Sequence, residues 1–186
     1  MKLAIDIDNC VLEWQYHWAR LYEQWFSEKL DQDALGSWNA CLDLTKFENM
    51  DQFYAWYSVA DGWDTQPYVY GAKGFLWELR QDKVHYEFVT SRPWDGEEPA
   101  KRLARRESTT VLFRGNQAKW TAHADLWVDD SPEVLTSLVE HGKRAVRFDQ
   151  PWNRDLPKKV EKQLLVATTW PEVRQHVDKI RKEEGL

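Results

Sequence analysis

Residues 2–8 of the chain read KLAIDID. Apolar side chains at positions 3, 5 and 7 alternate with Ala4, Asp6 and Asp8, and this period of two predicts a short buried strand. Both acids lie at the carboxyl end of that strand. We therefore expect the chemistry of the protein at this end of the first strand.

The same arrangement recurs in ADLWVDDSPE at residues 124–133. An apolar strand again ends in two acids, Asp129 and Asp130. Ser131 and Pro132 suit the N-cap and the first turn of a helix that runs to about residue 140. Two separate strands thus each deliver a pair of acids.

Further strands and helices alternate along the chain. Strands are predicted at 85–90, 109–115 and 143–149. Helical periodicity is found at 11–28, 71–81, 97–107 and from Pro171 onward, and short helices joined by turns are expected at 31–70. This alternation predicts an α/β fold, a Rossmann-like parallel sheet with helices on both faces. Ligands of such sheets bind beyond the carboxyl ends of the strands, the location of Asp6, Asp8, Thr90, Asp129 and Asp130.

Composition excludes several classes of function. The formal net charge of -6 gives no general attraction to nucleic-acid polymers or to anionic membranes. No run of apolar residues reaches signal-peptide or bilayer-spanning length, so we expect a cytoplasmic protein without a membrane partner. The two cysteines, Cys10 and Cys41, are too few for a disulfide framework.

The acids at the strand ends predict a metal site. Carboxylates that converge on one crevice repel one another, by about 4 kcal/mol per pair at ~4 Å and an effective dielectric of ~20. A positive charge must therefore lie among Asp6, Asp8, Asp129 and Asp130. Oxygen-rich sites suit Mg²⁺, which proteins hold with a few carboxylates together with substrate phosphate and water.

Four motifs occur in a fixed order, namely DIDNC from Asp6, VTSRP from Val89, GNQAKW from Gly115 and LWVDDSPE from Leu126. This series resembles the haloacid dehalogenase superfamily, which orders its parts as a strand-end DxD, a strand-end Thr or Ser, a Lys and a strand-end acidic pair. Each motif alone is weak, but the four in order are specific. The resemblance implies the haloacid dehalogenase fold and a magnesium-dependent phosphatase.

The resemblance also implies catalytic roles for two acids. Asp6 would attack phosphorus and form an aspartyl-phosphate, which splits one difficult hydrolysis into two easier steps. Asp8 would protonate the leaving alcohol and then activate water. Superfamily members that remove halide lack an acid at the second position, so Asp8 favours a phosphatase.

Phosphate and metal ligands follow by position in the motifs. Thr90, Ser91 and Lys119 would hold phosphate oxygens. Magnesium would bind the carboxylate of Asp6, the backbone carbonyl of Asp8, and one or both of the acids at positions 129 and 130.

Residues 13–70 follow the DxD motif where this superfamily inserts a small helical cap, so the resemblance implies a cap at 13–70 and a core formed by 1–12 and 71–186. The small cap, the TSRP turn and the DDSPE ending also resemble 5'(3')-deoxyribonucleotidases, whose substrates are deoxynucleoside monophosphates. Aromatic residues of the cap would then stack the nucleobase. The candidates are Trp14, Trp18, Phe53, Trp56 and Trp63.

Several alternatives stay open. An aromatic stripe at helical spacing packs against a core more often than it binds a base, and for Trp14, Trp18 and Trp25 core packing is favoured. The substrate could instead be a phosphosugar, a phosphorylated amino acid or another small phosphometabolite. A phosphorylated signalling module and a degenerate binding protein rank lower, because the acidic pair follows the lysine and all four motifs are intact. The sequence does not decide whether the chain forms a homodimer.

Overall fold

The computed structural model describes residues 1–185, and six strands occur in this range. They are β1 (Lys2–Ile5), β2 (His85–Thr90), β3 (Thr110–Phe113), β4 (Leu126–Asp129), β5 (Ala145–Phe148) and β6 (Leu165–Ala167). They form one sheet in the order β3-β2-β1-β4-β5-β6, and every neighbouring pair is parallel. The predicted α/β fold is confirmed. β1 lies at the centre, between the strands that carry the other site motifs.

Helices connect the strands and form the inserted segment. They are α1 (Gln15–Phe26), α2 (Ala40–Asp43), α3 (Met50–Val59), α4 (Gly62–Thr65), α5 (Ala72–Gln81), α6 (Trp94–Arg106), α7 (Pro132–Glu140), α8 (Lys158–Glu161) and α9 (Trp170–Glu184). Short 3-10 helices occur at Ala34–Gly36, Asn116–Thr121 and Pro151–Asn153. Within residues 1–185, no helix combines the length and apolar character needed to cross a bilayer.

The alternation in β1 divides its side chains between two apolar layers. Leu3 and Ile5 face a cluster that includes residues of α5, α6 and α9. Ala4 faces a second cluster that includes residues of α7 and α8. Helices therefore cover both faces of the sheet, and β1 is buried on both sides because Leu3, Ala4 and Ile5 are all apolar.

Several elements differ from the sequence prediction. β1 ends at Ile5, although the backbone N–H of Asp6 still donates to Val128 at 2.9 Å. α6 begins at Trp94, three residues before the predicted start, because Pro93 in an extended conformation precedes it and acids occupy its first turn. α8 and β6 were not predicted, since a three-residue strand offers no clear period.

Helices α1 to α4 enclose a hydrophobic cluster of their own. Its largest fully buried members are aromatic, and most of the ring pairs meet edge to face or tilted. They are Trp18, Tyr22, Phe53 and Tyr57. Tryptophans in this segment thus serve in large part to build a small apolar core.

Trp170 connects α9 to the site loop. Its ring is fully buried and stacks on Phe75 at 4.6 Å between ring centroids, and its indole N–H donates to the carbonyl of Cys10 at 3.1 Å.

We expect Trp170→Ala to lower the free energy of unfolding by about 3–5 kcal/mol, because it leaves a cavity and an unpaired carbonyl. Denaturant unfolding would measure this. The control, Trp94→Ala at a site 83% exposed, should change it by less than about 0.5 kcal/mol. Equal effects of the two variants would contradict this packing role.

Candidate active site

Asp6, Lys119 and Asp129 form a buried charged group at the carboxyl ends of β1 and β4. The ammonium of Lys119 lies 2.5 Å from Asp6 Oδ1 and 2.9 Å from Asp129 Oδ2. Lys119 is carried by the 3-10 helix at Asn116–Thr121 and is only 2% exposed. The structure therefore brings together three residues that the sequence assigned to one site.

Asp130 lies beside this group but has different partners. Its Oδ2 accepts from the indole N–H of Trp152 at 3.1 Å, and its backbone carbonyl accepts from the side-chain amide of Asn153 at 2.9 Å. Both partners belong to the turn at residues 150–153, for which sequence reasoning found no role. Asp129, in contrast, is occupied by Lys119 and by the backbone N–H of Ser131 at 2.9 Å.

Burial and mutual repulsion shift the protonation of these acids. Burial raises the pKa of Asp6 to about 7; Lys119 opposes this shift, and Asp129 adds to it. Burial, with the charges of Asp6 and Asp129, raises the pKa of Asp130 well above its ordinary value. Burial alone would lower the pKa of Lys119, but the two acids that it contacts raise it. The single ammonium of Lys119 thus offsets only part of the negative charge of three buried carboxylates. The site therefore needs further positive charge.

The donor atoms fit a metal ion. Oxygen atoms of Asp6 and Asp130 and the sulfur of Cys10 lie within 4.8 Å of one another. Carboxylate oxygens suit a hard divalent cation such as Mg²⁺, and the thiol is a poor ligand for it. Because Asp129 is bound to Lys119 and Ser131, Asp6 and Asp130 are the side chains best placed to hold the ion.

Asp8 lies apart from this cluster and is held by an arginine. The guanidinium of Arg92 donates from Nε to Asp8 Oδ2 at 2.8 Å and from Nη2 to Oδ1 at 2.7 Å. Gln66 donates to Oδ1 as well, at 3.0 Å. The side chain of Asp8 is therefore not one of the metal-facing carboxylates, and Arg92 is a site residue that sequence reasoning missed.

Asn9 shapes the loop between β1 and α1. Its φ of 57° lies in the left-handed region, where asparagine is one of the better-tolerated residues. Its side-chain oxygen accepts from the backbone N–H groups of Trp14 at 3.2 Å and Gln15 at 2.8 Å. Asn9 thus turns the chain after the DxD motif and caps the first helix, which begins four residues later than the sequence pattern predicted.

The two hydroxyls of the TSRP turn differ in position. Thr90 is 1% exposed, and its oxygen accepts from the backbone N–H of Arg92 at 3.2 Å. Ser91 is exposed and lines the cavity described below, whereas Thr90 lies behind it. Of the proposed phosphate ligands, Ser91 and Lys119 are thus the two that face the cavity.

A cavity of about 290 Å³ lies between the strand ends and the helical segment. Asp6, Asp8, Lys119 and Asp130 line the side formed by the sheet. The opposite side is lined by four aromatic residues, Trp14, Trp38, Tyr54 and Trp63, and by Asn39, Cys41, Leu42 and Met50. The acids and the aromatic residues thus share one cavity.

The five proposed stacking residues divide into two groups. Trp14 and Trp63 line the cavity. Trp18, Phe53 and Trp56 are at most 8% exposed and pack inside the apolar cluster of α1 to α4, away from the cavity wall. Trp38 and Tyr54 line the cavity although the sequence did not single them out, because helical spacing does not specify which face meets the sheet.

Comparison with solved structures identifies the fold. The fold is that of haloacid dehalogenase-like hydrolases. A haloacid dehalogenase-like hydrolase from Streptococcus pneumoniae is 12% identical with a TM-score of 0.66, and the alignment covers 95% of this chain and 97% of that one. A haloacid dehalogenase family hydrolase from Deinococcus radiodurans R1, solved with bound phosphate and sodium, is 14% identical with a TM-score of 0.64, at coverages of 96% and 95%.

A third solved structure of this fold is a predicted phosphoglycolate phosphatase from Haemophilus somnus 129PT. It is 13% identical with a TM-score of 0.64 and covers 94% of this chain and 96% of that one. No protein-family model and no curated protein matches the sequence. At these identities the likeness establishes the haloacid dehalogenase fold predicted from the four motifs.

Magnesium should stabilise the protein in a pH-dependent way. The raised pKa of Asp6, about 7, means that the folded, metal-free chain holds this proton more tightly than the unfolded chain does. The contribution of this carboxyl to stability therefore falls as pH rises from about 4 to about 7, and protons compete with the metal over the same interval. We expect Mg²⁺ to raise the melting temperature more at pH 8 than at pH 5.5.

Thermal unfolding would measure this with and without Mg²⁺ at about 5–10 mM, because a ligand that binds the folded state raises the melting temperature. Asp130→Asn should remove most of the magnesium-dependent increase. Asp155→Asn, at an exposed acid, is the control and should retain it. A magnesium effect that is the same at both pH values, or that survives in Asp130→Asn, would contradict the assigned metal site.

Proposed function

We propose that the protein is a magnesium-dependent phosphomonoester hydrolase that acts through a phosphorylated Asp6. The observation that carries this proposal is the closeness of the Asp6 and Asp130 carboxylates, whose oxygen atoms lie within 4.8 Å of each other on one wall of the cavity, with the ammonium of Lys119 in contact with Asp6. A carboxylate nucleophile, an ammonium and a metal-binding pair are the groups that phosphoryl transfer requires. Bound Mg²⁺ would supply positive charge to the transferring phosphoryl group.

In the first step a carboxylate oxygen of Asp6 forms a bond to phosphorus while the bond from phosphorus to the ester oxygen breaks. Lys119, which contacts Asp6, and the exposed hydroxyl of Ser91 are placed to bind the nonbridging phosphate oxygens. The departing alkoxide takes a proton from Asp8. Since phosphoryl transfer involves little other covalent chemistry, position and charge account for most of the acceleration.

In the second step water attacks the phosphorus of the aspartyl-phosphate. Asp8, now a carboxylate, accepts a proton from this water as the bond between Asp6 and phosphorus breaks. Inorganic phosphate leaves, and both acids return to their starting states. Asp8 thus acts as an acid and then as a base, which fits its location on the cavity wall rather than at the metal-facing pair.

The substrate that we propose is a nucleoside monophosphate, with a deoxynucleoside monophosphate favoured by the motif resemblance. Among the described cavity-lining residues, Lys119 and Arg92 are the cations, and both lie on the sheet side in contact with acids. The cap side offers aromatic rings, apolar groups and the amide of Asn39. A second phosphate or a carboxylate on the leaving group would find no cation there, whereas a nucleobase would find stacking surfaces.

Cavity size limits the substrate to a small molecule. A volume of about 290 Å³ is at the lower end of the range for small-molecule sites, which suits one small metabolite rather than a polymer. Other phosphometabolites with an uncharged leaving group remain the alternative. A screen of phosphomonoesters with Mg²⁺ separates the two, because preference for nucleoside monophosphates over phosphosugars requires the aromatic surface.

Asp6→Asn should abolish turnover of an aryl phosphate, since the amide cannot form the phosphorylated intermediate. Asp8→Asn should slow hydrolysis by about 100- to 10,000-fold for alkyl esters and much less, in kcat/KM, for aryl esters that need no proton. Steady-state assays with both classes of ester would measure this. Retained activity in Asp6→Asn would place the nucleophile elsewhere. Both variants should still unfold cooperatively, which checks that the fold is retained.

A substitution of Trp14 tests whether the aromatic side of the cavity stacks the nucleobase. Trp14→Leu keeps apolar volume but removes the planar ring, so we expect kcat/KM for the preferred nucleotide to fall about 5- to 150-fold, the equivalent of ~1–3 kcal/mol of stacking. Activity toward a small alkyl phosphate should be unchanged. Trp25→Leu is the matched control, because Trp25 lies on α1, is 53% exposed and does not line the cavity. Equal losses for both substrates in Trp14→Leu would contradict the stacking role.

A further inference from the structure

Arg92 is a buried cation whose contacts are unusual for a phosphate ligand. Its side chain is 1% exposed, and two of its three guanidinium nitrogens are directed at Asp8 rather than at the cavity floor around Asp6. Its Nη1 makes no hydrogen bond to any residue of the described chain. The principal contact of this buried arginine is thus with one carboxylate, that of Asp8.

Several neighbours fix the position of Arg92. Gln66 accepts from its Nη2 at 2.5 Å, and the ring of Trp63 lies 5.0 Å from the guanidinium carbon. Gly96 leaves the room that it needs, since a Cβ there would lie 3.1 Å from Arg92 Cβ and 3.3 Å from the Trp63 ring. The guanidinium is thus oriented before any substrate binds.

Gln66 completes a closed triangle with the other two residues. It accepts from Arg92 and donates to Asp8 Oδ1, so all three side chains hydrogen bond to one another. Gln66 lies at the end of α4, where the chain returns from the helical segment to the sheet. Residues on both sides of the cavity therefore hold Asp8.

The count of hydrogen bonds distinguishes the two oxygens of Asp8. Oδ1 accepts from Arg92 and Gln66, which uses both of its lone pairs, whereas Oδ2 accepts from Arg92 Nε alone. Oδ2 is the oxygen with a lone pair left for a proton that moves to the leaving group or from water.

We propose that Arg92 and Gln66 are positioning residues that fix Asp8 so that its Oδ2 performs the proton transfers. This rests on the proposed phosphatase function, in which Asp8 is the acid and base. Arg92 acts through Asp8 and does not bind the transferring phosphoryl group. Lysine cannot replace it, because a single ammonium does not span both carboxylate oxygens.

The test compares esters that need a proton on the leaving group with esters that do not. Arg92→Lys should lower kcat/KM for an alkyl phosphate about 10- to 100-fold, and that for 4-nitrophenyl phosphate less than about threefold. The ratio kcat/KM is used because it covers substrate binding and the first phosphoryl transfer but not hydrolysis of the intermediate. Gln66→Leu should show the same selectivity with a smaller loss. The control, Arg105→Lys on the exposed face of α6, should change neither ester.

A double-variant cycle gives a second readout. In an Asp8→Asn background, Arg92→Lys should cause no further loss with the alkyl ester, because the residue through which it acts is already disabled. Equal losses for the two esters, or full additivity with Asp8→Asn, would overturn the positioning role, whether the cause is direct phosphate binding or a damaged fold. If Arg92→Lys fails to fold, Gln66→Leu decides by the same criteria. Absence of hydrolysis by the unsubstituted protein would overturn the phosphatase function itself.

Discussion

The contact between Lys119 and two buried acids is the interaction on which the site depends. Three carboxylates lie almost completely out of solvent at the ends of β1 and β4, and removing each from water costs several kcal/mol unless it is paired. Lys119 bridges Asp6 and Asp129 and so offsets part of that cost. The negative charge that remains in the group is the physical reason for proposing a cation beside Asp6 and Asp130.

Much of this site follows from the sequence because parallel strands bring their carboxyl ends to one edge. Alternation in KLAIDID predicted which side chains of β1 share a face, and β1 pairs with the two strands that carry Thr90 and Asp129. Once the strands are parallel and adjacent, acids far apart in the chain must meet. The order of the four motifs therefore carried three-dimensional information that composition and charge did not.

Other features depend on side-chain direction, which no sequence period specifies. Arg92 reaches Asp8 across 84 residues of chain, and only the bend after Thr90 turns it back toward β1. Trp14 and Trp18 are four residues apart and belong to the same helical pattern. Trp18 is nevertheless buried in the small apolar cluster, whereas Trp14 lines the cavity. Periodicity identified an aromatic face, but not the part of that face that the neighbouring helices cover.

The turn at residues 150–153 shows why such features matter for function. Trp152 donates to Asp130, and its ring lies 6.4 Å from that of Trp38, a cavity-lining residue of the helical segment. Pro151 packs against the same segment, because a Cβ at Gly36 would lie 3.2 Å from Pro151 Cβ. One turn therefore contacts both Asp130, the acid proposed to bind the metal, and the aromatic wall proposed to face the leaving group. The proposed metal-binding acid and the proposed substrate wall are thus parts of one packed unit, in which close-packed side chains transmit strain rather than absorb it.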